Sequence, residues 1–251
     1  METTDPLPLI ASVDITLGPP FQKGITRDQC SLLGCVFFTI NDSKVQRLLG
    51  FLNQHVEKRG YANVTAVTSL DSIVSILDAG ARTVFVESSQ LEGLKAYHDR
   101  VALVVSDAEQ DLGQIPAGGI LIECGEDLEV SKAALKLCKE SKASPIFLST
   151  ASTDNMQAVV DLARENSLAA VIPAAHLTME NTSTKDLLSV PAVIAASWTS
   201  DRNDHLVPTV VTDERGIALG LVHSSQESLS ESLKTGTGKL RNFPKPLEFN
   251  S

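Results

Sequence analysis

The sequence predicts an α/β fold: an irregular or degenerate (β/α)8 barrel-like domain over residues 1–195, then a β-hairpin plus helix over 196–238 and a divergent, disordered tail over 239–251. Two observations carry this. Apolar segments of four to seven residues alternate eight times with helical or helix-length segments over about 190 residues, the pattern of a parallel sheet with helical crossovers. Eight such units favour closure into a barrel. The span is short for that fold, so helices are expected to be missing near units one and five, and an open doubly wound sheet is the competing architecture. The second observation is a change of rhythm after residue 206, where two β-favouring runs flank a polar reversal that ends in glycine.

Leu7 to Asp14 reads as the first strand, ending in a carboxylate, and Gly18-Pro19-Pro20 interrupts regular structure after it. The second strand runs from about Gly34 to Ile40. Asn41 or Asp42 then caps a helix whose Val45, Leu48, Leu49, Leu52 and Val56 recur at helical spacing. Ala62 to Val67 is strand, and Ser69 caps a helix over Leu70 to Ala79 that Gly80 stops. Thr83 to Val86 is strand, Gln90 to Tyr97 helix, Val101 to Val105 strand, and Asp107 to Leu112 a polar return. Gly119 to Ile122, Pro145 to Leu148 and Ala169 to Ile172 are the remaining strands. Helices at Leu128 to Lys139 and Asp154 to Glu165 separate them, and a last short helix covers Lys185 to Val190.

In the hairpin, Val207, Val210 and Val211 lie on one side of Asp213-Glu214-Arg215-Gly216, with Ile217, Leu219, Leu221 and Val222 on the other. Ser224-Ser225-Gln226-Glu227 is an S-x-x-E capping box and predicts a helix from Ser225. Leu229 and Leu233 form one stripe on it, and Gly236 is placed for a left-handed stop. Trp198 is expected to plug the junction before the hairpin, and Asp201-Arg202-Asn203-Asp204 to serve as a linker.

Composition narrows the function. A formal charge of −10 without a basic cluster argues against nucleic-acid or anionic-membrane binding, which rests on Lys and Arg. No leader is visible in Met1-Glu2-Thr3-Thr4-Asp5-Pro6, and no apolar run spans a bilayer, so a cytoplasmic location is expected. Cys30, Cys35, Cys124 and Cys138 read as reduced core thiols, because no pair has zinc-ligand spacing. The histidines at 55, 98, 176, 205 and 223 are scattered; His205 and His223 close the hairpin and could approach each other. No Walker loop, G-x-S-x-G, G-x-G-x-x-G or H-E-x-x-H occurs. Thr235-Gly236-Thr237-Gly238 comes after a helix, whose C-terminus repels phosphate.

The run Leu206-Val207-Pro208-Thr209-Val210-Val211, Asp213-Glu214, Leu219-Gly220-Leu221-Val222-His223-Ser224-Ser225, Glu227-Ser228 and Leu233-Lys234-Thr235-Gly236-Thr237-Gly238 resembles the opening of phosphoribosyl-AMP cyclohydrolase. With Ala196-Ser197-Trp198-Thr199-Ser200-Asp201-Arg202 before it, the stretch looks like the fungal trifunctional histidine-biosynthesis proteins, which begin with this activity. The resemblance implies a hydrolase that opens the adenine ring of a phosphoribosyl nucleotide with zinc and magnesium. After Gly238 the chain departs from the family, which continues into a Ser-Arg-x-Arg element, a Trp-x-Lys-Gly-x-Thr-Ser-Gly segment, an Asp-x-Asp-x-Asp motif and late cysteines. Residues 239–251 carry none of these, and Pro244 and Pro246 disfavour a central strand.

A second resemblance lies in the barrel. Leu9-Ile10-Ala11-Ser12-Val13-Asp14 looks like the first strand, and Val104-Val105-Ser106-Asp107 the fifth, of the barrel isomerase and cyclase of histidine biosynthesis. That likeness implies vestigial catalytic carboxylates at Asp14 and Asp107; the plainer reading is that each caps the turn after its strand. Such barrels hold phosphate in Gly-rich loops after strands seven and eight, whereas Ser149-Thr150-Ala151-Ser152-Thr153 and Pro173-Ala174-Ala175-His176-Leu177-Thr178 lack glycine. The barrel reads as one that has lost its ligand.

Two functions are expected on these grounds. One is membership of histidine biosynthesis through a partial cyclohydrolase domain that holds no metal or cofactor itself and is inactive alone. The other is a non-enzymatic isoform or paralogue, an interaction module that self-associates through an exposed sheet edge.

Overall fold

The computed structural model describes residues 9–16, 23–26, 29–30, 33, 35–54, 59–106, 115–212 and 217–236. Eight parallel strands close on themselves: β1 (Leu9–Asp14), β2 (Cys35–Asn41), β3 (Arg59–Ala66), β4 (Thr83–Val86), β5 (Val101–Val105), β6 (Ile120–Glu123), β7 (Ile146–Ser149) and β8 (Ala169–Pro173). Closure is direct, since Ile10 and Ala11 of β1 pair with Val171 and Ile172 of β8. The barrel expectation holds and the open sheet does not.

Around it stand α1 (Val45–Gln54), α2 (Leu70–Asp78), α3 (Leu128–Glu140) and α4 (Met156–Glu165). Ser69 caps α2 as the sequence predicts, its side chain accepting from the Ser72 amide, and Asp127 caps α3 through the Glu129 amide. Alternate strand residues point outward: Val36 and Phe38, Val84 and Val86, Leu103 and Val105, and Ile120 and Ile122 join the helices' Leu48, Ile73, Leu135 and Val159 in the main core.

The other parity fills the lumen. Ile10, Phe37, Tyr61, Phe85, Ala102, Val104, Leu121, Phe147, Ala169 and Val171 form a second buried cluster. Its centre is aromatic: Phe85 lies 5.0 Å from Phe37 and 5.4 Å from Phe147 between ring centroids, and Tyr61 lies 5.4 Å from Phe147. The Phe85 and Phe147 rings meet edge to face at 87°.

Several elements differ from the sequence reading. β3 begins at Arg59 rather than Ala62, because Gly60 and Tyr61 pair with Val36 and Phe37. The expected helix at Gln90 to Tyr97 is two 3₁₀ turns, Ser88–Gln90 and Glu92–Tyr97; the connection is short, and Leu94 departs from helical geometry. Unit one does carry a helical turn among its described residues. Thr26 and Gln29 cap each other through side chain and amide, and the Cys30 amide donates to Thr26 O at 2.9 Å. Most of the unit-five connection, with Asp107, lies outside the described residues, as do His55 and the tail from 237 onward.

The last short helix predicted at Lys185 to Val190 is replaced. β9 (Leu177–Thr178) pairs with β10 (Leu188–Ser189), and α5 (Val190–Ala196) comes next, with the Ser189 hydroxyl accepting from the Ala192 amide and Pro191 in the first turn. Proline fixes that first turn, so the helix runs forward from residue 190 instead of ending there.

β11 (Val207–Thr212) and β12 (Ala218–Ser224) form the antiparallel hairpin, and α6 (Gln226–Thr235) ends at Gly236 with φ 66°, as the sequence predicts. The cap is shifted by one residue. Ser225 and Ser228 cap each other, because Ser224 is held in β12 opposite Val207. Trp198 is half-buried just past α5, and Arg202 grips Asp204 with two bonds of 2.9 and 2.7 Å. That guanidinium holds the Asp204 carboxyl well below the usual carboxylate range.

Cys30, Cys124 and Cys138 are buried and form no disulfide. Burial pushes the Cys138 thiol up to about 11, so the reactive thiolate forms only in strong alkali. A thiol reagent used near pH 8, about the range where an exposed cysteine reacts, should leave Cys138 unlabelled until denaturant is added; mass spectrometry of tryptic peptides reads this. Truncating the lumen at Phe85→Ala removes the ring that meets three others and should cost about 3–5 kcal/mol in urea unfolding.

Candidate functional site at the barrel mouth

The strand period that fills the lumen also builds its rim. On six of the eight strands a polar residue comes two positions beyond a lumen side chain on the same face: Ser12 after Ile10, Thr39 after Phe37, Asn63 after Tyr61, Ser106 after Val104, Glu123 after Leu121 and Ser149 after Phe147. They line a cavity of about 850 Å³ at the C-terminal ends of the strands, floored by Phe37, Leu121 and Val171. Asp14, Lys23 and His176 also line it.

Each candidate group has a definite partner. Asp14 is exposed, and its Oδ1 accepts from the Thr16 amide at 2.7 Å and the Thr16 hydroxyl at 2.6 Å, the turn-capping role of a strand-end aspartate. Ser106 Oγ donates to Glu123 Oε2 at 3.4 Å. The sequence reading passed over Glu123, although its place two residues after Leu121 on a strand end was the available signal. Asp107 lies outside the described residues, so the two carboxylates implied by resemblance are not seen together.

The loop after β7 turns its Thr150 hydroxyl inward. Thr150 Oγ1 donates to Asn155 Oδ1 at 2.7 Å and accepts from the Ser152 amide at 3.1 Å, while Asn155 Nδ2 donates to Gly125 O. The loop after β8 is covered by the β1–β2 connection. The Ile25 amide donates to Ala174 O at 3.1 Å, and Ile25 is buried. Gly24 makes that approach possible at φ +73°, where a methyl group would collide with Ala174 O and the Ala175 backbone. His176 Nδ1 lies 3.3 Å from Asp186 O.

Phosphate binding needs a set of free amides, usually at a helix N-terminus, and favours positive charge. Here the Thr150 hydroxyl after β7 is engaged with Asn155, the loop after β8 is packed against Gly24 and Ile25, and Asp14 and Glu123 oppose Lys23. A metal would need three or four converging donors. Among the described residues no three His, Cys, Asp or Glu side chains converge to hold an ion, with His205 exposed and His223 half-buried in β12. Cys124 lines the cavity as a thiol whose pKa burial raises, an effect that a hydrogen bond with Ser131 partly offsets.

Gly24→Ala forces a left-handed alanine against backbone and should lower stability by roughly 2–4 kcal/mol. Gly125→Ala, where a methyl group meets nothing, is the matched control and should leave the unfolding midpoint nearly unchanged.

No family model matches the chain. It is 38% identical to the histidine biosynthesis trifunctional protein of Neurospora crassa over 242 residues, 95% of this chain and 28% of that protein. It is 32% identical to the histidine biosynthesis bifunctional protein of Schizosaccharomyces pombe over 189 residues, 70% of this chain and 45% of that protein. The trifunctional protein of Candida albicans is 25% identical over 84% of this chain. The chain spans less than half the length of these relatives. Over nearly its whole length, barrel and hairpin together, it is homologous to part of the fungal histidine biosynthesis trifunctional protein.

Proposed function

We propose that the chain acts in histidine biosynthesis, with its barrel as a non-catalytic scaffold and β11, β12 and α6 as the opening of a phosphoribosyl-AMP cyclohydrolase unit. The observation that carries the pathway is the alignment across 95% of the chain with a protein named for it. The scaffold role is supported by how the last helix is held. Ser230 Oγ donates to Met179 O at 2.6 Å, Gln226 Nε2 donates to Asn181 O at 2.9 Å, and Lys234 Nζ reaches Glu180 Oε2 at 2.6 Å. All three partners come just after β9, so the hairpin's helix is fixed to the barrel's closing segment. Ser230 is buried, which makes its bond the one least open to competition by water.

The chemistry of the complete cyclohydrolase rests on zinc and magnesium, which would activate the attacking water. The described residues do not supply a converging donor set for either ion, so no step is assigned to them. The barrel mouth likewise offers little to a phosphoribosyl group, because Thr150 is bonded to Asn155 and the loop after β8 packs on Gly24 and Ile25. A cytoplasmic setting accords with this pathway role, and no helix among the described residues is long and apolar enough to cross a membrane.

The test has two arms. Purified chain given phosphoribosyl-AMP with zinc and magnesium should show no turnover above a metal-stripped control; sustained metal-restored turnover would overturn the scaffold reading. Deleting the gene should make growth depend on added histidine, and growth without it would count against the pathway.

A further inference from the structure

Charge is distributed along the barrel axis in one direction. Among the described residues, the charged ones at the last position of a barrel strand or one beyond it are Asp14, Asp42, Glu87 and Glu123, all acidic. Those at the first position or one before it are Arg59, Arg82 and Arg100, all arginine. The mouth therefore carries a negative potential, and a cleft with apolar walls focuses that potential on whatever enters. Lys23 is the one lysine or arginine among the described residues that line the cavity, against Asp14 and Glu123.

Two polar groups in this cavity lack a full set of partners. Asp14 is spent on Thr16, whereas Glu123 accepts only the long 3.4 Å bond from Ser106 and forms no ion pair among the described residues. Asn63 is 7% exposed and lines the same cavity. The Thr65 amide donates to Asn63 Oδ1 at 3.1 Å and so fixes which end of the side chain is the carbonyl; the Thr65 hydroxyl adds a second bond at 2.9 Å. The Nδ2 hydrogens are left without an acceptor among the described residues, in a nearly buried position where a ligand oxygen would satisfy them. β3 and β6 are three strands apart in the ring of eight, so Asn63 and Glu123 stand on opposite sides of the mouth. Between them the floor of Phe37, Leu121 and Val171 is apolar.

We propose that the mouth binds a small organic cation with an oxygen at its far end. The ammonium pairs with the Glu123 carboxylate and finds a second acceptor in the hydroxyl of Ser149, the residue opposite Glu123 on β7. The apolar body of the ligand lies over Phe37, Leu121 and Val171, and its oxygen accepts from Asn63 Nδ2. A bare metal ion is the poorer occupant, because no three His, Cys, Asp or Glu side chains converge among the described residues and the floor offers no oxygen ligands. An anion is opposed by both carboxylates. The inference goes beyond the scaffold role and does not rest on the pathway.

Tyramine is the probe, since it joins an ammonium to a phenol oxygen through a flat apolar body. Titrated into the whole chain and followed by amide NMR shifts, it should saturate with a dissociation constant on the order of 1 mM. It should move the amides of Asn63, Glu123 and Ser149 and leave those of α6 in place. Tyrosol, with a hydroxyl where tyramine has the ammonium, should bind at least tenfold more weakly, and phenethylamine, which lacks the phenol oxygen, at least threefold more weakly. Glu123 is exposed at the rim, so Glu123→Gln should keep the unfolding midpoint, weaken tyramine at least fivefold and leave tyrosol unchanged. Glu140→Gln removes the same charge at the last residue of α3 and should leave tyramine binding as it was. An absence of saturable shifts, shifts that map away from the mouth, tyrosol or phenethylamine binding as tightly as tyramine, or undiminished affinity in Glu123→Gln would each overturn the proposal.

Discussion

Closing eight strands leaves a lumen that has to be filled, and Phe37, Tyr61, Phe85 and Phe147 fill its middle. Three of these rings are phenylalanine, in a chain with only 4% aromatic residues. Phe85 touches the other three at centroid distances of 5.0 to 6.0 Å, so it links β2, β3 and β7 through β4. Arg82 adds a cation over the Tyr61 ring at 5.6 Å. Smaller residues elsewhere compensate in volume: Ala102 and Ala169 sit in the same cluster, where a further large side chain would overpack it.

The position of this plug sets the depth of the mouth. Because side chains alternate, the next inward-facing residue above the plug on six of the eight strands lies near the loops, and there the chain places Ser12, Thr39, Asn63, Ser106, Glu123 and Ser149. The cavity above the plug thus owes its shape to the lumen and its chemistry to these strand-end residues together with Asp14, Lys23 and His176. Asn63 is 7% exposed and settles its carbonyl on the Thr65 amide and hydroxyl. The collar is polar, which suits a rim that must remain wet.

The chain's two parts meet through hydrogen bonds to backbone carbonyls as well as through apolar packing. Met179 and Asn181 present carbonyls in the turn after β9, and α6 answers with Ser230 and Gln226. The Lys234 to Glu180 pair sits at the exposed end and adds little beside them. Leu233 packs against the main core from the same helix. The hairpin itself is held by its own cross-strand pairing, with one face half-exposed and the other open among the described residues.

Local signals in the sequence determined where most elements lie. Alternation of apolar runs with helical spacing fixed β1 to β8 and the helices at Leu70, Leu128 and Met156, and Ser69, Gly80 and Gly236 punctuated them as their side chains dictate. The errors fell where local preference was ambiguous: the short 3₁₀ connection after β4, the segment before Pro191, and the choice between Ser224 and Ser225 as a cap. Asp14 was legible as a strand-end carboxylate, and its bond to Thr16 is a local one. Barrel closure was a preference in the sequence and a fact only in the structure, since the pairing of β8 with β1 joins residues about 160 positions apart, a separation no local pattern encodes. The same holds for the aromatic plug, the Thr150 to Asn155 bond across its loop, and Gly24 against Ala174. Each depends on which backbones closure brings together, and that is decided by packing in three dimensions.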